Sequence, residues 1–174
     1  MNKLFLNTRI LFIVCLFLTP VLLFAQADEA AFAVAPANSP AAEFEVLLNT
    51  GVVTYAQAAR FVLEASEAFV TNNPNEAFDF AMQNGWLPGK VTPDDNAQLN
   101  HISRLLMRSF NLKGGIFYSI TKSSRYAYRE LVYKNVIQGR ADATMPVSGE
   151  RLIFYVNRLL TQQSAAASSN LRRI

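Results

Sequence analysis

Apolar residues recur with a helical period along much of this chain. Two stretches, residues 55–70 and 152–159, place them at i, i+3, i+4 and i+7: Ala58, Phe61, Val62 and Ala65 in the first, and Leu152, Tyr155, Val156 and Leu159 in the second. This spacing puts them on one face of a helix. Helical patterns of apolar residues also occur in residues 76–83, in residues 125–135 and in a longer stretch that ends at Phe110. The pattern predicts a mainly α-helical fold.

Polar and turn-forming residues indicate where these helices begin. Thr54 is the predicted N-cap of the first long helix, and Pro146 with Ser148 is predicted to open the last. The cluster TPDD at residues 92–95 is predicted to open the helix that ends at Phe110. Residues 116–120 (IFYSI) are β-prone, but a single strand forms no sheet, so we predict an extended connector there.

The first 27 residues have the composition of a secretory signal peptide. Lys3 and Arg9 precede an apolar run at residues 10–24, and Ala25-Gln26-Ala27 supplies the small residues of a cleavage site. An uncleaved membrane anchor is the alternative, but a spanning helix needs roughly 20 apolar residues. We therefore expect an exported protein of the periplasm or cell envelope, with no stable membrane span after cleavage.

Beyond the signal peptide, composition divides the chain into three parts. Residues 28–49 are predicted to form a flexible Ala/Pro leader, residues 50–160 a helical domain, and residues 161–174 a disordered basic tail. No cysteine follows residue 27, which excludes disulfides and thiol chemistry from this part of the chain.

Charge is distributed unevenly between the two halves of the chain. Residues 28–100 hold ten acids and two bases, a net charge of −8, whereas residues 101–174 hold twelve bases and three acids, a net charge of +9. Such a split indicates either that the halves attract each other or that the basic half faces an anionic partner. Solvated faces that segregate by chance are the third interpretation.

The segment at residues 124–160 contains a helix, a glycine-centred loop and a second helix. Its residues LVYKNVIQG (131–139), Asp142, Met145-Pro146 and VSGE (147–150) follow a recognisable order. Shorter versions occur at residues 77–98 and around VTYAQ (53–57). This order resembles the S-layer homology (SLH) repeat. The resemblance implies a compact bundle of about three short helix-loop-helix units, with anionic cell-wall polysaccharide held in grooves between them.

The ligand-binding residues of that family are not kept here. Its repeat carries an Ile-Thr-Arg-Ala-Glu box, and the arginine of this box corresponds to Tyr55, Asn96 and Gly149 in the three units. The acid of the box corresponds to Gln57 and Gln98 in two units, and Glu150 keeps it in the third. Any anionic ligand must therefore be bound by other bases.

The best candidates for this role are three arginines and two tyrosines, Arg125, Arg129, Arg140, Tyr126 and Tyr133. Arginine suits the role because its guanidinium pairs bidentately with carboxylate and phosphate groups. The alternative is that Arg125 and Arg129 pair with acids of the negative half and only hold the units together.

Little in the sequence indicates catalysis or metal binding. His101 is the only histidine, no carboxylates have metal-ligand spacing, and no nucleophile elbow is present. We predict no catalytic residue, no metal site and no cofactor, and a small envelope hydrolase is the least favoured function. Nucleic acid is not an expected partner of an exported protein.

Two functional hypotheses follow from these observations. The first is a non-catalytic envelope protein whose SLH-like helical domain contacts anionic cell-wall polymer or peptidoglycan. The second is a structural or scaffold subunit of a periplasmic complex, in which the same surface binds another protein or a second copy of the chain.

Overall fold

The computed structural model describes residues 40–139 and 142–171. Contacts within the described chain place residues 43–139 and 142–171 in one compact unit. The described residues form seven helices and are mainly α-helical, which confirms the predicted fold class. These helices are α1 (Pro40–Leu48), α2 (Tyr55–Ala65), α3 (Pro74–Gln83), α4 (Leu99–Ser109), α5 (Ile116–Thr121), α6 (Ser124–Tyr133) and α7 (Gly149–Leu171).

Local capping explains the start of several helices. Thr54 precedes α2, and its side-chain oxygen accepts a hydrogen bond from the Gln57 amide at 3.3 Å. The Gln57 side chain in turn accepts from the Thr54 amide at 3.0 Å, which completes a capping box. Ser148 accepts from the Arg151 amide at 3.3 Å at the start of α7. Both predicted caps are confirmed.

The predicted start of α4 is wrong. The helix begins at Leu99, and the carboxylate of Asp95 instead accepts from the Thr92 amide at 2.7 Å, which closes a local turn. Residues 96–98 remain extended because backbone groups of Ala97 and Leu99 bind to other segments of the chain. The residues with good capping chemistry therefore form a turn before the helix.

The predicted extended connector at residues 116–120 is also wrong, because this segment is the short helix α5. The Ser119 amide donates to the Gly115 carbonyl at 2.9 Å, and the Lys122 amide donates to the Tyr118 carbonyl at 2.8 Å. Tyr118 is fully buried, so packing of this one side chain outweighs the β propensity of its neighbours.

The predicted flexible leader and disordered tail need correction where the structure describes them. Residues 40–48 of the leader are helix α1, and Leu47 from this helix is part of the core. Helix α7 continues through residues 161–171 of the tail, where the Gln162 and Gln163 side chains donate to the carbonyls of Lys134 and Phe110. The predicted signal peptide, residues 28–39 and residues 172–174 lie outside the described residues.

A ring of three backbone hydrogen bonds joins the segments that lead into α2, α4 and α7. The Val53 amide donates to the Val147 carbonyl at 2.9 Å, the Val147 amide to the Ala97 carbonyl at 3.0 Å, and the Ala97 amide to the Val53 carbonyl at 2.9 Å. All three residues are buried. Because each helix starts two residues after its ring residue, the three helix N-termini gather around one point.

The hydrogen bonds beside this ring define which residues are equivalent. The Tyr55 amide donates to the Asp95 carbonyl at 3.1 Å, and the Leu99 amide donates to the Met145 carbonyl at 3.0 Å. Leu99 is therefore structurally equivalent to Tyr55, and His101 is equivalent to Gln57. The sequence-based alignment, which put Asn96 and Gln98 at these places, is shifted by three residues from the register of the structure.

Candidate functional site

The arginines predicted to bind a ligand lie on one face of α6. Arg125 and Arg129 are one helical turn apart, and Tyr133 follows one turn later. All three are exposed, and Tyr133 keeps 84% of its surface accessible. Residues 125, 129 and 133 therefore form an exposed stripe, which we call the α6 stripe. Arg140 lies outside the described residues.

Tyr126 has a different environment from the α6 stripe. Its ring stacks on Phe117 of α5, with the ring centroids 5.6 Å apart and the planes 13° from parallel. Tyr126 is half-buried by this contact and joins α5 to α6. The structure therefore brings together Arg125, Arg129 and Tyr133 and places Tyr126 in a packing role.

The bases of the α6 stripe have no acidic partner among the residues that the structure describes. In that part of the chain the single ion pair joins Arg60 to Glu43, both in the acidic half. The alternative in which Arg125 and Arg129 hold the acidic half by ion pairs has no support in this set of contacts. Because exposed charges remain hydrated until a partner arrives, the α6 stripe is open to an anionic ligand.

A pocket of ≈ 270 Å³ lies apart from the predicted residues, between the end of α4, the turn after α3, and α5. Its walls include Trp86, Met107, Arg108, Asn111, Tyr118 and Lys122. The sequence analysis did not find it, because its residues come from three separate elements. The repeat-like segments are unequally spaced along the sequence, and this difference in spacing is the signal that could have indicated an additional element beside the pocket.

The wall of this pocket is positively charged and partly dehydrated. Burial raises the pKa of the Tyr118 hydroxyl, while the nearby charges of Arg108 and Arg104 act in the opposite direction. Behind the wall, the Arg104 side chain donates to the Gly85 carbonyl. Burial, and then the charge of Arg108, lower the pKa of Arg104. Burial is the larger cause of both shifts, and the charges of the neighbouring arginines are the smaller one.

Comparison with protein-family models, with curated proteins and with solved structures found no match to this chain. Within residues 40–139 and 142–171, no helix has the length and apolarity needed to cross a membrane.

Proposed function

We propose that this protein is an exported, non-catalytic envelope protein whose SLH-like helical domain contacts anionic cell-wall polymer or peptidoglycan. The observation that supports this best is the α6 stripe. Arg125 and Arg129 are exposed, one turn apart, and have no acidic partner among the described residues, with Tyr133 exposed beside them. A linear polyanion is a suitable ligand, because it can meet successive guanidinium groups along one helix face.

The ring of hydrogen bonds through Val53, Ala97 and Val147 supports the SLH-like part of this proposal. A family built from short helical units needs each unit to bury its apolar face against its neighbours. The ring links three helix entries by the same type of contact, with donors and acceptors in a cyclic order. This arrangement is the one expected from three units around a common axis.

Sedimentation with purified peptidoglycan sacculi tests polymer binding. We expect the protein to pellet with sacculi at low salt and to be released at high salt, because exposed ionic contacts are screened. The double variant Arg125→Gln/Arg129→Gln should pellet poorly. The matched control is Lys90→Gln/Arg151→Gln, which removes two exposed bases from elsewhere on the surface. Equal pelleting of the two double variants would contradict a role for the α6 stripe, and no pelleting of the wild type would contradict the function.

A scaffold role is the second candidate, and an apolar surface on α5 favours it. Ile116, Phe117 and Ile120 keep 76%, 67% and 76% of their surface exposed. Apolar side chains grouped on a surface often mark a protein-binding site. Under this alternative, Ile116→Ser/Ile120→Ser should abolish a defined crosslinked complex or oligomer, while pelleting with sacculi is absent from the wild type and the variant.

A further inference from the structure

Two segments of the chain have the same pattern of backbone hydrogen bonds. The first runs from α2 to the turn at residues 92–95, and the second runs from α4 to the turn at residues 142–145 and is longer. After α2, the amides of Ser66 and Ala68 bind the carbonyls of Val62 and Leu63. After α4, the amides of Phe110 and Leu112 bind the carbonyls of Leu106 and Met107. Each of these residues comes 44 positions after its equivalent in the first segment (66 to 110).

Further along the two segments, the offset between equivalent residues is larger. Helices α3 and α6 each have ten residues, and they begin at Pro74 and Ser124, an offset of 50. The following turns keep this offset, because the Asp95 amide binds the Thr92 carbonyl and the Met145 amide binds the Asp142 carbonyl. The second part thus has six extra residues (50 minus 44), and α5 has six residues.

This extra helix completes the pocket. Tyr118 and Lys122, from α5 and its C-terminal cap, form one side, and Arg108 of α4 forms part of another. The Lys122 ammonium lies 5.2 Å from the centre of the Tyr118 ring. Gly114 leaves room for that ring, since a Cβ at this position would lie 2.5 Å from the Tyr118 Cδ1 atom. Without α5 the pocket would lack the wall formed by Tyr118 and Lys122.

Two buried hydrogen-bonding groups lie in or behind the wall of the pocket and have no partner among the described residues. The side chain of Tyr118 is 1% exposed, and its hydroxyl has no hydrogen-bond partner within the described structure. Arg104 Nε, behind the same wall, is likewise buried without a partner there. The Tyr118 hydroxyl oxygen has less than 1 Å² of accessible surface, so the accessible donors of the pocket wall are those of Arg108 and Lys122. Arg108 and Lys122 form no ion pair among the described residues.

The aromatic side of the pocket is fixed in position. The rings of Phe69 and Phe80 stack with centroids 4.5 Å apart, and Phe80 meets Trp86 edge-on at 5.7 Å. Trp86 therefore presents an aromatic surface that is positioned by its neighbours. An aromatic surface can cover the C–H groups of a sugar ring, while Arg108 and Lys122 provide donors to oxygens and to one negative charge.

We propose that this pocket binds a single acidic sugar unit, a hexose ring that carries a carboxylate or a phosphate. The volume of ≈ 270 Å³ is close to the lower end of ligand pockets, which suits one ring. The choice of a sugar rests on the proposed function, because cell-wall polymers are built from sugars. The α6 stripe would contact the charges of the polymer, and the pocket would recognise one of its units.

Trp86 is the only tryptophan, so its fluorescence reports on this pocket alone. We expect glucuronate and glucose 6-phosphate, in separate titrations, to change the Trp86 emission saturably at millimolar concentration. Uncharged glucose should bind much more weakly. Arg108→Met and Lys122→Met, which keep unbranched side chains but remove the charge, should each raise the Kd about tenfold. The relative affinity of the two acids would distinguish carboxylate from phosphate as the recognised group.

The matched control is Arg151→Met, which removes one exposed charge outside both the pocket and the α6 stripe and should leave the Kd unchanged. The absence of saturable binding of both acids to the wild type would overturn the proposal. So would equal Kd values for the wild type, Arg108→Met and Lys122→Met. If the acids bind as expected but the protein does not pellet with sacculi, the pocket stands and the proposed function fails. If pelleting depends on Arg125 and Arg129 while neither acid binds, the proposed function stands and the proposal for the pocket fails.

Discussion

The hydroxyl of Tyr55, the first residue of α2, lies 2.5 Å from Nδ1 of His101 on α4. The same hydroxyl accepts a hydrogen bond from the Gln98 amide at 3.3 Å, and we assign its own proton to His101 because this arrangement leaves no hydroxyl proton unpaired. Nδ1 can accept this proton only when the imidazole is neutral. The contact therefore links the two helices through the neutral form of the only histidine.

This contact predicts a decrease in stability at mildly acidic pH. Burial, and then the charge of Arg104, lower the pKa of His101 below its usual value in the folded protein. The unfolded chain therefore binds the proton more readily, and stability is lost as the pH falls below about 6.5 towards the lower pKa of the folded state. Urea unfolding at several pH values from neutral to mildly acidic should show this loss.

His101→Gln should reduce the pH dependence in this range, because the variant lacks the imidazole whose pKa differs between the folded and unfolded states. The pKa of Asp142 is also lowered, mainly by a hydrogen bond from the Thr144 amide, but that carboxylate titrates at more acidic pH. An equal loss of stability in wild type and His101→Gln over mildly acidic pH would contradict the assignment.

Gly149→Ala should destabilise the protein because there is no space for a side chain at this position. A Cβ on Gly149 would lie 1.7 Å from the Leu47 carbonyl oxygen, so the end of α1 would have to move. We expect the free energy of unfolding to fall by about 1–3 kcal/mol, as for overpacked cores. Gly89→Ala is the matched control, since nothing lies within 4 Å of a Cβ there. Urea unfolding of both variants is the measurement, and similar midpoints would contradict the close approach of Leu47.

Tyr118→Phe should stabilise the free protein, because it removes a buried hydroxyl that lacks a hydrogen-bond partner. The expected increase in the free energy of unfolding is about 1 kcal/mol. Thermal unfolding without ligand would show a higher Tm. A lower Tm would indicate that the hydroxyl is already paired in the free protein. Tyr155→Phe is the comparison, because Tyr155 is also buried but its hydroxyl is not among the fully buried groups that lack a partner.

Thr54→Ala should cost about 1 kcal/mol, because it removes half of the capping box at the start of α2. Ser123→Ala is the control at a second N-cap, where the serine side chain makes no capping hydrogen bond to α6. Denaturant titrations of the two variants should differ by most of this amount. Equal effects would mean that the cap of Thr54 contributes little to folding.

The amino-acid sequence was sufficient to predict the helical class and both confirmed caps. These features depend on residues within one or two turns of each other, as in the contacts of Thr54 with Gln57 and of Ser148 with Arg151. Helix periodicity and capping are local properties, so the order of residues alone determines them.

Only the tertiary structure decided the register at α4, the helical state of α5 and the presence of the pocket. The amides of Ala97 and Leu99 bind carbonyls of Val53 and Met145, which are distant in the sequence, and these bonds override the local capping signal of residues 92–95. Burial of Tyr118 likewise overrides the β propensity of its neighbours. The pocket depends on residues brought together from three elements, and their proximity is a result of packing that no local pattern encodes.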